Sequence, residues 1–271
     1  MKNLRILSLY VVLSLVAAGA SAQWTRVADG VEYQRFRQDS MDVHVTRIDL
    51  TDPDLRIVAS RESERGLPVS EFAERNRAIV AINADYFTKD FRPIGLAVGP
   101  CGKWEGTTDT KREGVVAIGD GRAEIYAQSH VLGEPERWME AVVSGWPLLV
   151  RNCVPLTAGK LPGSDAFTRA PHPRTAVGIS EDGMTLFFVV ADGRREGVPG
   201  LTLARLADFM ADELGICAAM NLDGGGSSAM WVDDEIVNRP SDGAERRVAV
   251  HLGVVRARDY TGCETNVQAS H

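Results

Sequence analysis

An apolar segment, Ala218-Ala219-Met220-Asn221-Leu222, runs into Asp223-Gly224-Gly225-Gly226-Ser227-Ser228 and then into Ala229-Met230-Trp231-Val232. Three consecutive glycines between two strand-like segments force a sharp, bulk-free connection, because only glycine combines free choice of φ with no side chain. The sequence at this point therefore predicts a strand, a tight loop and a second strand, with a carboxylate on one side of the loop and two hydroxyls on the other. One reading is a bare strand–strand turn. The other is a cradle of exposed backbone N–H groups facing an anion, with Asp223 placed for chemistry. No G-K-[ST] follows, so it is not a P-loop, and the G-x-G-x-x-G spacing of a dinucleotide site is absent. The G-x-S-x-G elbow of serine hydrolases does not match either.

Elsewhere short β-rich segments dominate. Val31 to Phe36, Asp42 to Leu50 and Leu55 to Ser60 open the chain, and Ala78 to Ile82 reads as a buried strand ending abruptly in Asn83-Ala84-Asp85-Tyr86-Phe87. Further strands are expected near Gly95 to Gly99, Gly114 to Gly119, Ala123 to Ala127, Leu148 to Arg151, Thr175 to Ser180, Met184 to Val190, Ala218 to Leu222, Ala229 to Val232, Glu235 to Asn238 and Ala249 to Val255. Two helices are expected. One spans Ser70 to Arg75 with Ser70 as its cap, and the other spans Leu203 to Leu214 with Thr202 as cap and Gly215 as stop. The predicted fold class is α+β: one domain, residues 23–271, built on a large mixed, mostly antiparallel sheet with a few flanking helices.

The first 22 residues read differently. Lys2 and Arg5 precede an apolar run from Ile6 to Ala18, and Ala20-Ser21-Ala22 offers the small residues of a cleavage site. The run is shorter than the roughly 20 residues that span a bilayer. The expectation is an export signal over residues 1–22, no membrane anchor after its removal, and a destination in the bacterial periplasm or outside the cell. Without that segment the formal charge falls from -7 to -9. With no basic tract, nucleic acid is excluded as a partner on electrostatic grounds.

Four cysteines, Cys101, Cys153, Cys217 and Cys263, suit disulfides in an oxidising compartment. Pairing of sequential neighbours, Cys101 with Cys153 and Cys217 with Cys263, is the preferred expectation, with Cys217, which lies in an apolar run, as a buried free thiol the other reading. No C-x-x-C, H-x-x-x-H or H-E-x-x-H occurs, which speaks against a transition-metal centre. No cofactor is expected, although calcium or magnesium on clustered aspartates stays open.

Polar groups also gather at three other strand ends. Pro171-His172-Pro173-Arg174-Thr175 sets an arginine, a planar fork suited to phosphate, at the start of a strand. Asp192-Gly193-Arg194-Arg195 ends another, where acid and base either serve a ligand or pair with each other. Asn238 to Arg246 forms a polar loop whose composition alone reads as a turn.

Together these clusters resemble the phosphodiester glycosidase family. The residues that carry the likeness are Ala81 to Phe87, Gly145-Trp146-Pro147-Leu148-Leu149-Val150, His172 to Ile179, Val189 to Arg194, Asn221 to Ser228 and Asn238 to Asp242, in matching order. The resemblance implies hydrolysis of a sugar-1-phosphodiester, with a glycan or small-molecule sugar-phosphate as partner. Such a reaction calls for a carboxylate at the anomeric carbon, and Asp223, Asp85 and Asp192 are the candidates for nucleophile, water-activating base or oxocarbenium stabiliser. Asn83, Arg174, Thr175, Arg194, Asn221, Gly224, Gly225, Gly226, Ser227 and Ser228 would then bind substrate, with Arg174, the loop N–H groups and the serines clamping the phosphate.

Overall fold

Two hydrophobic strands with almost no exposed residue, Arg174–Ile179 and Thr185–Ala191, mark the middle of the molecule. Continuous burial along a strand means that both faces of its sheet are covered. The computed structural model describes residues 23–107, 114–126, 135–157 and 159–263. The export signal expected over residues 1–22 lies outside them.

The central sheet has eight strands in the order Thr25–Ala28, Val31–Gln38, Met41–Asp49, Thr185–Ala191, Arg174–Ile179, Ala218–Asn221, Leu148–Arg151 and Val154–Pro155. A five-stranded sheet joins Gly102–Lys103, Val98–Gly99, Ala141–Gly145, Gly114–Gly119 and Arg122–Tyr126. A second five-stranded sheet joins Glu235–Ile236, Met230–Val232, Val80–Asn83, His251–Arg256 and Leu55–Ala59. The single expected sheet is thus three. Every pairing among the described strands is antiparallel.

Side chains alternate across the central sheet, so it feeds two cores. Leu186, Phe188, Val190 and Val177 point into a core shared with both smaller sheets, where they meet Ile118, Val143, Ile82 and Leu252. Phe187, Val189, Ala191 and Ala176 point the other way, onto Leu203, Leu206, Ala207 and Met210 of the flanking helix. A third cluster packs Val69, Phe72 and Ala73 of the short helix on Val58, Ala81 and Trp231.

Three local expectations are corrected. The short helix spans Val69–Asn76 and begins after Pro68, so Ser70 lies inside its first turn, where its N–H donates to the Glu245 carboxylate at 2.9 Å. The long helix has the expected Thr202 cap, accepting from the Arg205 N–H, but is α-helical only over Leu203–Asp208 and continues as a π-helical turn over Phe209–Glu213. The disulfides are Cys101–Cys263 and Cys153–Cys217. Strand pairing decides the second: Leu148–Arg151 lies beside Ala218–Asn221, and the Cys153 N–H donates to the Cys217 carbonyl at 2.9 Å. Among the described residues no helix is long and apolar enough to cross a membrane.

Candidate active site around the glycine loop

Three strand ends from two sheets meet at the glycine loop. Leu222 N–H donates to Thr175 O at 2.8 Å, Asp223 N–H to Ala84 O at 2.9 Å, and Gly225 N–H to Pro173 O at 2.9 Å. The buried amide of Asn83 binds them side by side. Its Oδ1 accepts from Thr175 Oγ1 at 2.8 Å and from Ala229 N–H at 3.2 Å, while its Nδ2 donates to Asp223 O at 2.6 Å. Asn83 and Thr175 therefore spend these groups inside the protein, locking the loop in place.

The loop itself turns inward. Gly225–Ser227 is a 3-10 turn, and Gly225 has φ of 64°. Ser227 and Ser228 N–H groups donate to Gly224 O and Gly225 O at 3.2 and 3.3 Å. With Gly225 N–H held by Pro173, these three N–H groups are committed to the protein, and the expected backbone cradle does not form from them. The glycines have another reason. A Cβ on Gly225 would sit 2.9 Å from Arg194 Nη2, and one on Gly226 would sit 2.1 Å from both Arg246 Nη2 and Asp242 Oδ2. The missing side chains make room for two guanidinium groups lying on the loop. Both arginines are exposed.

Asp223 is half-buried at the loop's entry. Burial pushes its carboxyl up to about 6, against the opposing pull of the Ser227 hydroxyl, the Arg246 charge and the Gly224 N–H. Asp85 is 1% exposed and follows Ala84, whose carbonyl holds the Asp223 N–H.

Arg174 is 3% exposed, with Nε donating to Leu201 O at 3.1 Å and Nη2 to Phe167 O and Ala170 O at 2.6 and 3.2 Å. Burial lowers it to about 10, with Arg194 pushing the same way and Tyr86 opposing. Its guanidinium lies 5.2 Å from the Phe167 ring centre, and Phe167 stacks on Trp146 at 5.2 Å. Asn221 Nδ2 donates to Tyr86 Oη at 2.6 Å, and that hydroxyl donates to Trp146 O at 2.9 Å. Half-buried Tyr86, Trp146 and Phe167 thus form an aromatic flank beside the arginine.

Asp192 lies in a different setting. Its Oδ1 accepts from Asn238 Nδ2 at 3.1 Å and from Arg239 N–H at 3.0 Å, and its Oδ2 accepts from Arg195 Nη2 at 3.0 Å. Arg195 also pairs with Asp42, which Arg35 grips at 2.7 and 2.8 Å. Buried His44, lowered to about 4 chiefly by desolvation, faces both carboxylates at 3.7 and 4.0 Å. Asp42, His44 and Asp192 are a metal-type constellation by geometry, but both carboxylates already carry arginine partners. Asp192 reaches the glycine loop through Asn238, whose Nδ2 also donates to Ser228 O at 3.2 Å.

The family model for phosphodiester glycosidases matches residues 76–255, which contain the glycine loop, Asn83, Asp85, Arg174, Asp192, Arg194 and Arg246 but not Arg35, Asp42 or His44. The chain belongs to the phosphodiester glycosidase family. It is similar to the prophage-derived protein YomE of Bacillus subtilis, 32% identical over 71% of this chain and 30% of that one. It is also similar to mouse N-acetylglucosamine-1-phosphodiester alpha-N-acetylglucosaminidase, 37% identical over 28% of this chain and 14% of that one. The chain thus spans less than a third of either relative's length. The catalytic domain of the zebrafish enzyme of that name, solved in a form auto-inhibited by its pro-peptide, shares the fold. Its TM-score is 0.66 at 17% identity, covering 88% of this chain and 84% of that one.

In this member of the family Arg246, Trp146 and Phe167 also meet at the site, where no sequence motif gave them a role. Arg246 sits in a loop whose composition reads only as a turn. Gly226, with no room for a methyl group, is the signal that something packs there.

Replacing Asn83 with Ala should leave Thr175 and Ala229 without their acceptor and cost about 2 kcal/mol or more in urea unfolding. Asp223 gives a pH signature. Its carboxyl is raised in the fold, so the native state keeps the proton longer than the unfolded chain does. Stability should therefore fall as pH rises from about 4 to about 6. Unfolding curves across that range should show a shallower decline in Asp223→Asn.

Proposed function

We propose that the protein is an exported hydrolase that breaks the glycosidic C–O bond of a sugar-1-phosphodiester, releasing a free sugar and a phosphomonoester. An N-acetylglucosamine-1-phosphodiester is the substrate its mouse relative's name suggests. One observation carries the reading: a half-buried carboxylate, Asp223, and two exposed guanidiniums, Arg194 and Arg246, converge on one glycine loop.

A phosphate leaving group is far more acidic than an alcohol, so its departure needs charge stabilisation more than proton donation. Arg194, with buried Arg174 behind it, supplies positive charge for the departing phosphate. The Trp146–Phe167 stack offers an apolar face of the kind sugar rings lie against. Asp223, ionised, serves at the anomeric carbon, as nucleophile or as the base that directs water. In both routes the glycosidic electron pair leaves with the phosphate and water supplies the new hydroxyl. Asp85 helps to shape the floor beside it, and Asp192, held by Arg195, positions the loop through Asn238. Two disulfides fit the oxidising compartment that export implies.

Hydrolysis of a glycosyl phosphodiester in ¹⁸O-labelled water should place the label in the sugar. Label in the phosphate would mean P–O cleavage and a phosphodiesterase, and tight binding without turnover would mean a phosphoglycan-binding protein. Asp223→Asn should abolish turnover, Arg174→Ala should slow it by about 100-fold, and wild-type kcat/KM should rise through about pH 6 to a plateau. Because protein groups supply the chemistry, activity should survive EDTA.

A further inference from the structure

The loop from Asp242 to Arg246 has a use that a surface turn would not require. Arg246 Nε and Nη2 both donate to Asp242 Oδ2, at 3.1 and 2.6 Å, which turns the guanidinium edge-on to that carboxylate. Its remaining nitrogen, Nη1, points at Ser227 Oγ, 3.5 Å away. Ser227 is 1% exposed, and its hydroxyl lies near enough to Asp223 to pull that carboxyl down against the effect of burial. A serine hydroxyl has one proton, so accepting from Arg246 leaves that proton for Asp223. The pair lies so close to Gly226 that a Cβ there would be 2.1 Å from both of its atoms.

We propose that Asp242, Arg246 and Ser227 form a relay that orients and charge-balances Asp223, with Asp242 and Arg246 as positioning residues for the hydrolysis proposed above. Asp242 fixes the guanidinium, the guanidinium fixes the hydroxyl, and the hydroxyl fixes the carboxylate. The idea rests on Asp223 being the reacting carboxylate, but its geometry can be tested without turnover. The other groups on neighbouring segments are Asp85 and Tyr86 after Ala84, Arg174 after Pro173, Arg194 over Gly225, and the Gly224 N–H on the carboxylate itself. They are unchanged in every variant below.

The test is a carbon-13 NMR titration of protein labelled at the aspartate carboxyl carbon, with the Asp223 signal assigned by its loss in Asp223→Asn. Arg246→Gln should raise the Asp223 midpoint by about one pH unit, the scale of losing one nearby opposite charge. Ser227→Ala should raise it too, and Arg246→Lys should raise it less than Gln does. Asp242→Asn gives the sharpest result, because two explanations predict opposite signs. Removing a neighbouring negative charge would lower the midpoint, whereas releasing Arg246 from its anchor raises it. A rise supports the relay. A fall in Asp242→Asn, or an unchanged midpoint in Arg246→Gln, overturns it. The Asp242 and Arg246 side chains are about half exposed, 41% and 44%, so their variants should fold, and circular dichroism checks all of them, Ser227→Ala included. If the shifts appear while wild-type protein fails to turn over a glycosyl phosphodiester, the relay stands and the proposed hydrolysis falls.

Discussion

The side-chain amide of Asn83 is the interaction on which the site depends. It closes the gap between two sheets that share a core but do not pair edge to edge at this point. Oδ1 takes one proton from a residue on the central sheet and one from the segment after the glycine loop, and Nδ2 returns one to the loop's first carbonyl. Buried polar groups must find partners or cost stability. Here each partner lies on a different segment, so satisfying one amide fixes three backbones relative to one another. A glycine triplet, the most conformationally free sequence available, is thereby held in a single shape.

That rigidity explains the divided use of the loop's polar groups. N–H groups that might have faced a ligand are turned onto Pro173, Gly224 and Gly225 carbonyls. Positive charge is delivered instead by side chains, from the Arg194 and Arg246 loops. An arginine held over a glycine gives directional, bidentate donors that a backbone nest cannot match in reach. The absence of Cβ atoms on the loop serves these neighbours as much as the loop's own dihedral angles, φ of 64° at Gly225 aside.

How far the sequence revealed this follows from the range of each signal. Strands were legible because their apolar runs are local, and so was the tight connection at Gly224 to Gly226. The antiparallel single-domain class followed from frequent hairpins. What separates one large sheet from three is long-range pairing, such as Val80–Asn83 between Met230–Val232 and His251–Arg256, which no local pattern encodes. The four cysteines do form disulfides, but their pairing was hidden for the same reason: sequential proximity was a poor guide once Leu148–Arg151 lay against Ala218–Asn221. Asp192 and Asp223 look alike as acids at strand ends. Only the fold shows that Asp192 is engaged by Arg195, Asn238 and the Arg239 N–H while Asp223 is left at the loop.

Placement of the arginines also sorts them by what they can do in a chain of net charge -7. Arg195 and Arg35 neutralise buried aspartates, so they add structure and little outward field. Arg174 is held by three carbonyls, and burial has already lowered its proton affinity. Carbonyl dipoles satisfy its donors without cancelling its charge. An anion arriving at the loop would gain from that charge where water is largely excluded and the interaction is strongest. Arg194, at the surface, works in higher dielectric and pulls more weakly, while Arg246 is tied to Asp242 and faces Ser227. A buried cation held by carbonyls, with an exposed one over the loop, suits charge that shifts outward as a bond breaks, the movement that the proposed departure of a phosphate ester requires.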